Sequence, residues 1–355
     1  MRTKTKTLVA LLFAAAAWAP GAGTASFKVG KALIRSAGPL AFGPDGVLFA
    51  ADSAGAAIFA LDTNDRTASP AAGHLEVSGI DGKIAALLGT AADQILIYDT
   101  AVNPVSKNVY VSVARGRGPD AAPVILRLDG AGKLSELSLD NIRYSSIALP
   151  DARSSERLEA ITYIQFVDGN LIVAGLSNEE FSSNLRSIPF PFRSQQAAEG
   201  AGIEIYHTSH GLYETDAPVR TFVPFTIDGK AYILAAYTCT PLVKIAESEL
   251  KPGNKVTGDT IAELGAGNRP LDMIAYRKEG HDYILMANSS RGVMRLAADH
   301  LEAYQPMLSR GSRGVPRTKL MDWSRVHQLK KVDDATALIL TDAGGTADLR
   351  MVPLP

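Results

Sequence analysis

Asp99, Glu159, Asp272 and His327 are the side chains best placed in this sequence to hold a cation. Carboxylates and imidazole suit hard or borderline metals, and gathered at one mouth they would bind a divalent cation such as calcium. Corresponding stretches carry Arg220, Arg269 and Arg325, which are candidate ligand contacts. Guanidinium groups at the same level as carboxylates pair with them and repel a metal, so the preferred arrangement of these residues is a ring of ion pairs. A second candidate binding site lies in LSNEEFSSNLRSIPFPF at 176–192. Asn178, Glu179 and Arg186 there combine polar groups fixed by an apolar strand with aromatic reach, which is what a ligand or partner needs. The IPFPF segment at 188–192 reads equally as a cap on a sheet edge or as an aromatic contact surface.

Other reactive types carry less chemistry. Cys239 is the only cysteine, so no internal disulfide forms, and in its apolar setting it reads as a packing residue rather than a nucleophile. His207 and His210, in YHTSHGLYE, have a spacing that suits metal ligation from a helix, whereas the segment reads as strand and loop; they are expected at the surface. Walker loops, dinucleotide fingerprints, zinc-cysteine clusters, haem-binding cysteine pairs and serine-hydrolase elbows are absent from the sequence.

Residues so far apart in sequence converge only if repeated elements bring them together. PLDMIAYRKEGHDYILMANSSRGVMRL at 270–296 reads as three short strands with a charged hairpin at Gly280 and a polar loop at 288–292. Similar patterns occupy 38–62, 99–129, 159–190, 220–245 and 326–352. Asp-Gly turns at 45–46, 168–169 and 228–229 are strong hairpin signals. Second strands such as VLFAA, LIVAG and YILAA are almost wholly apolar, as strands buried on both faces must be. The spacing leaves room for a fourth strand in each unit, which is the anatomy of a propeller blade. The expected fold is an all-β, six-bladed β-propeller of four-stranded antiparallel blades, with residues 27–34 completing the last blade; a seventh blade between 62 and 99 is the alternative. In such a ring the first strands line a channel, and the loops that lead into them bring the candidate cation ligands to one face.

The remaining features set the context. Arg2, Lys4 and Lys6, an apolar run at 8–18 and small residues through Ala25 have the layout of a secretory signal peptide, so residues 1–25 are expected to be a leader and 26–355 one domain, periplasmic or secreted. Hydrophobic residues make up 46% of the 355 and the net charge is −1, which suits a compact protein and gives no general attraction to nucleic acid or anionic membrane. After cleavage of the leader no membrane span is expected.

PLAFGPDGVLFAAD at 39–52 resembles the blade-opening pattern of NHL-type and SMP-30/gluconolactonase-like propellers, and the chain also looks like exported bacterial propellers with no assigned activity. The lactonase resemblance implies a divalent cation held by acidic and Asn side chains on the axis; here Ala37 stands where those enzymes offer a glutamate. Two functions follow: an exported binding or scaffold module that holds a protein partner or small ligand on the propeller face, or a metal-dependent hydrolase of lactonase type using the channel carboxylates. The sequence carries no motif that makes the chain an enzyme.

Overall fold

A computed structural model describes residues 22–68, 74–152, 157–193, 196, 198–238, 241–265, 267–309, 314–342 and 344–355. The expected leader falls outside these residues except for 22–25, and Cys239 lies outside them.

The apolar second strands are buried over most of their length, and Val47–Asp52 has all six residues inside. These strands are sandwiched by neighbours on both faces, and each fully buried Leu or Phe contributes about 1.5–3 kcal/mol. The Asp-Gly pairs make the hairpins that the sequence promises. Asp168 and Gly169 have φ of 43° and 86°, Asp228 and Gly229 of 47° and 72°, and they join strands paired at Val167 with Asn170 and Ile227 with Lys230. Two successive positive φ values define the type I′ turn, whose twist matches the strands it connects.

Strand pairing among the described residues gives three four-stranded sheets, one of five strands and one of nine that carries two inner strands, and the units are numbered here by the order of those inner strands: Leu40–Phe42, Ile95–Val102, Tyr163–Val167, Val219–Ile227, Pro270–Lys278 and Val326–Lys331. Units three and four are further joined by parallel pairing of their outer strands, Ala201–His207 and Lys255–Glu263. Between Asp62 and the inner strand Ile95–Val102, the described residues hold the two-residue strand Glu76–Val77, the helix Ile80–Leu88 and a 3-10 turn at Ala92–Gln94.

Six hydrophobic clusters lie between units, and they fix the order of the ring. Unit one packs on three, three on four, four on five, five on six, six on two, and two on one. The fold is a β-propeller, with the second unit in sequence seated between the first and the last. Inner strands also bond side chain to neighbour around the axis: Thr162 Oγ1 donates to the Val219 carbonyl, Asp272 accepts from the Leu329 amide, Gln328 donates to the Tyr98 carbonyl, and Asp99 accepts from the Leu40 amide.

Closure uses the N-terminal part of the chain, but not residues 27–34. The last blade is completed by Glu76–Val77, which pairs with Leu349 and Arg350. Lys28–Gly30 instead adds a fifth strand outside Ile142–Ala148 in the first blade. The physical reason is burial. Leu75 and Val77 are buried against the last blade, whereas Val29 and Leu33 are 64% and 66% exposed. The first blade in turn receives its fourth strand, Ile142–Ala148, only after the second blade is made. Both ends of the ring are therefore clasped by strands borrowed from elsewhere in the sequence.

Candidate functional site: the axial funnel

The inner strands share one irregularity. Register shifts interrupt pairing at Tyr98, Arg220, Leu271 and His327 in four of them. A bulge leaves its residue outside the ladder and re-aims the side chain. All four residues line one funnel of about 910 Å³ at an end of the axis, together with Arg269 and Leu158. Arg117, from the loop after the second strand of blade two, also reaches the funnel, donating to the carbonyls of Asp93 and Ile95.

The residue after the bulge points into the axis in blades two and five, and these residues are Asp99 and Asp272. Lys330 lies between them, its Nζ 2.9 Å from Asp99 Oδ1 and 2.9 Å from Asp272 Oδ2. Tyr163 completes the waist, donating its hydroxyl to Asp272 Oδ1 at 3.2 Å, with the Lys330 ammonium 5.1 Å from its ring centre. Backbone amides of Thr100 and Met273 donate to the two carboxylates as well. Below the waist a smaller cavity of about 350 Å³ opens among the far ends of the inner strands.

Burial raises the Asp99 carboxyl above its ordinary value, Lys330 opposes that rise, and the charge of Asp272 adds to it. Burial alone would lower the Lys330 ammonium, but attraction to Asp272 and Asp99 outweighs it and holds its pKa well above the ordinary lysine value. The lysine is thus a fixed cation, unsuited to act as a nucleophile or base. Burial and then the Asp272 charge push the Tyr163 phenol up.

The candidate cation ligands therefore do not form one group. Asp99 and Asp272 meet, but an ammonium, Lys330, stands where a metal would have to sit, and it pairs with both carboxylates in place of the arginines expected to do so. Glu159 pairs with Arg220 at 2.7 Å, and His327 is exposed on the funnel wall. Of the three arginines expected in a channel ring, Arg220 has a carboxylate partner. Arg269 is exposed in the funnel with no side-chain partner among the described residues, and Arg325 is exposed before its strand and outside the funnel lining.

The second candidate site also divides. Asn178 donates to the Ala152 carbonyl at 3.0 Å, Glu179 is exposed beside a cavity of about 410 Å³, and Arg186 is fully buried. Arg186 bonds Asp151 Oδ1 at 2.7 Å and cannot touch a surface ligand. The loop ends earlier than its polar sequence suggests: Ser183–Pro189 is a strand, so Arg186 lies within the sheet. Phe190 and Phe192 are buried against Phe49, making IPFPF part of the core.

Sequence reading missed Lys330 and Tyr163. The available signal was spacing: Gln328 and Lys330 share a strand face, so a lysine two residues from the axial Gln328 should also point inward. It also misplaced His207, which is buried. Among the described residues, His207, His210 and Glu214 are the His, Cys, Asp or Glu side chains grouped closely enough to hold a metal ion. No helix among the described residues is long and apolar enough to cross a membrane.

No protein-family model and no curated protein matches the chain. Among solved structures, the PQQ-bound aldose sugar dehydrogenase of Streptomyces coelicolor is 13% identical, with 92% of this chain and 97% of that one covered and a TM-score of 0.37. A streptogramin B lyase is 11% identical, with 92% and 97% covered and a TM-score of 0.35. A β-propeller domain from Myceliophteria thermophila is 10% identical, with 89% and 83% covered and a TM-score of 0.38.

Proposed function

We propose that this β-propeller is an exported binding module that takes a small ligand with an anionic group in its axial funnel. The observation that carries the reading is the distribution of charge. Asp99 and Asp272 share Lys330, Glu159 is paired with Arg220, Asp81 and Asp342 accept the backbone amides of Ala347 and Gly345, and Asp93 is exposed on the lining, while Arg269 and His327 remain on the funnel wall without side-chain partners among the described residues. Leu158 and Leu271 supply apolar surface beside them, and the funnel volume of about 910 Å³ suits a small molecule. Arg269 would anchor the anion, since a guanidinium binds carboxylate or phosphate through two parallel hydrogen bonds. The lactonase alternative would need a cation at the axial carboxylates, where Lys330 stands. Export rests on the basic and apolar pattern of residues 1–25, and places the module in the periplasm or outside the cell.

Calorimetric titration of the protein with a panel of small carboxylates and sugar phosphates tests this. We expect binding by at least one member, weakened at least about tenfold by Arg269→Ala, with an unchanged melting temperature of the free protein. A panel without a binder, or a binder indifferent to Arg269→Ala, would overturn the funnel as the site.

A further inference from the structure

His207 ends the strand Ala201–His207, and Glu214 ends the short strand Leu212–Glu214 that folds back on it. The turn between them is tight: the amides of His210 and Gly211 both donate to the His207 carbonyl, and Gly211 has φ of 74°. This single turn gives His207 and His210 the same-face relation that the sequence alone would assign only to a helix. The next strand then brings Glu214 under both rings. His207 Nδ1 lies 3.0 Å from Glu214 Oε2, and His210 Nδ1 contacts Glu214 Oε1. The imidazole ring centres are 3.9 Å apart.

We propose that His207, His210 and Glu214 bind a divalent transition-metal ion, with zinc as the first candidate. One donor atom from each residue falls within 4.8 Å of the others. With metal–nitrogen and metal–oxygen bonds of about 2.0–2.2 Å, donors around a tetrahedral ion lie roughly 3.3 Å apart, and the 3.0 Å between His207 Nδ1 and Glu214 Oε2 is close to that spacing. Ligation through Nδ1 uses the imidazole tautomer that carries its single proton on Nε2, so that each Nδ1 lone pair points inward at the metal in place of the contact with Glu214. Two imidazoles and one carboxylate favour zinc, copper or nickel over calcium, which takes six to eight oxygens. The site is anchored on one side and open on the other. His207 is 1% exposed and His210 side-chain exposure is 50%, so a fourth position faces water, as in an exchangeable or reactive site rather than a closed structural one. Thr208 and Ser209, at the crown of the turn, are tied to Glu263 in blade four, so the ligand frame is held by two blades.

The test is equilibrium dialysis of the full chain against zinc sulfate with metal analysis, and titration with cobalt chloride followed by visible absorption. We expect one zinc per chain, the intense visible bands of tetrahedral cobalt, and loss of both in His210→Ala and Glu214→Gln. These two variants spare the buried ring of His207, and circular dichroism will show them folded. Absence of stoichiometric zinc, or binding that either variant leaves unchanged, would overturn the proposal and leave Glu214 as a hydrogen-bonded bridge between two imidazoles.

Discussion

The ammonium of Lys330 lies 2.9 Å from Asp272 Oδ2 across the boundary between the fifth and sixth blades. A second contact to Asp99 extends it to the second blade, so one side chain links three inner strands and closes the waist of the channel.

Replacing Lys330 by Met leaves two buried carboxylates without their cation and should destabilise the fold by about 3–5 kcal/mol at neutral pH. The deficit should shrink in acid. Asp99 has a folded pKa above its reference of 3.8, so its contribution to stability is present below that value and lost as pH rises through the folded one. Lys330, raised above 10.5, contributes fully below that value and loses its contribution only as pH rises through its higher folded pKa. Urea unfolding of both proteins at acidic and neutral pH checks this; a deficit independent of pH would contradict it.

Closure by Glu76–Val77 predicts an asymmetry between two apolar substitutions. Leu75→Ala opens a cavity at the clasp of the last blade, where Leu75 is 4% exposed and its carbonyl accepts from the Met351 amide. It should cost about 2–5 kcal/mol. Val29→Ala, on the added edge strand, should stay within about 0.5 kcal/mol. Equal losses in denaturant unfolding would return the closing role to residues 27–34.

Arg186 has Asp151 as its ion-pair partner, and its Nε and Nη1 find no hydrogen-bond acceptor among the described residues. Asp151→Ala should therefore cost about 3–5 kcal/mol by stranding a buried charge. Arg186→Met combined with Asp151→Asn should lose less than that single change, because the charge goes with its partner. The comparison is made by thermal and urea unfolding of both variants.

Two glycines separate conformational strain from steric collision. A Cβ on Gly229 meets no atom within 4 Å, but its φ is 72°, so Gly229→Ala should cost about 1–2 kcal/mol. On Gly38 a Cβ would lie 2.5 Å from the Ala51 carbonyl oxygen, forcing the segment that leads into Leu40–Phe42 away from the strand Val47–Asp52 beside the funnel. Gly38→Ala should lose more stability than Gly229→Ala, read from the same unfolding curves.

What was legible in the sequence was local. The Asp-Gly turns, the apolar second strands and the recurrence of the three-strand pattern depend on φ preference and burial within one unit, and they are enough to give a propeller. They also place Asp99 and Asp272 at the axis, because both follow the start of a repeated unit. Tertiary structure alone decided the ring order, with the second unit between first and last, since that depends on which of several similar apolar faces pack together. It likewise decided that two residues at 76–77 close the last blade: so short a strand has no signal of its own, and its pairing comes from the buried neighbours Leu75 and Val77. The axial charge balance was settled in the same way, because Lys330, Asp99 and Asp272 come from three blades and meet only when the ring closes. His207, His210 and Glu214 come together for a more local reason, a turn whose backbone geometry the spacing of the histidines does not reveal.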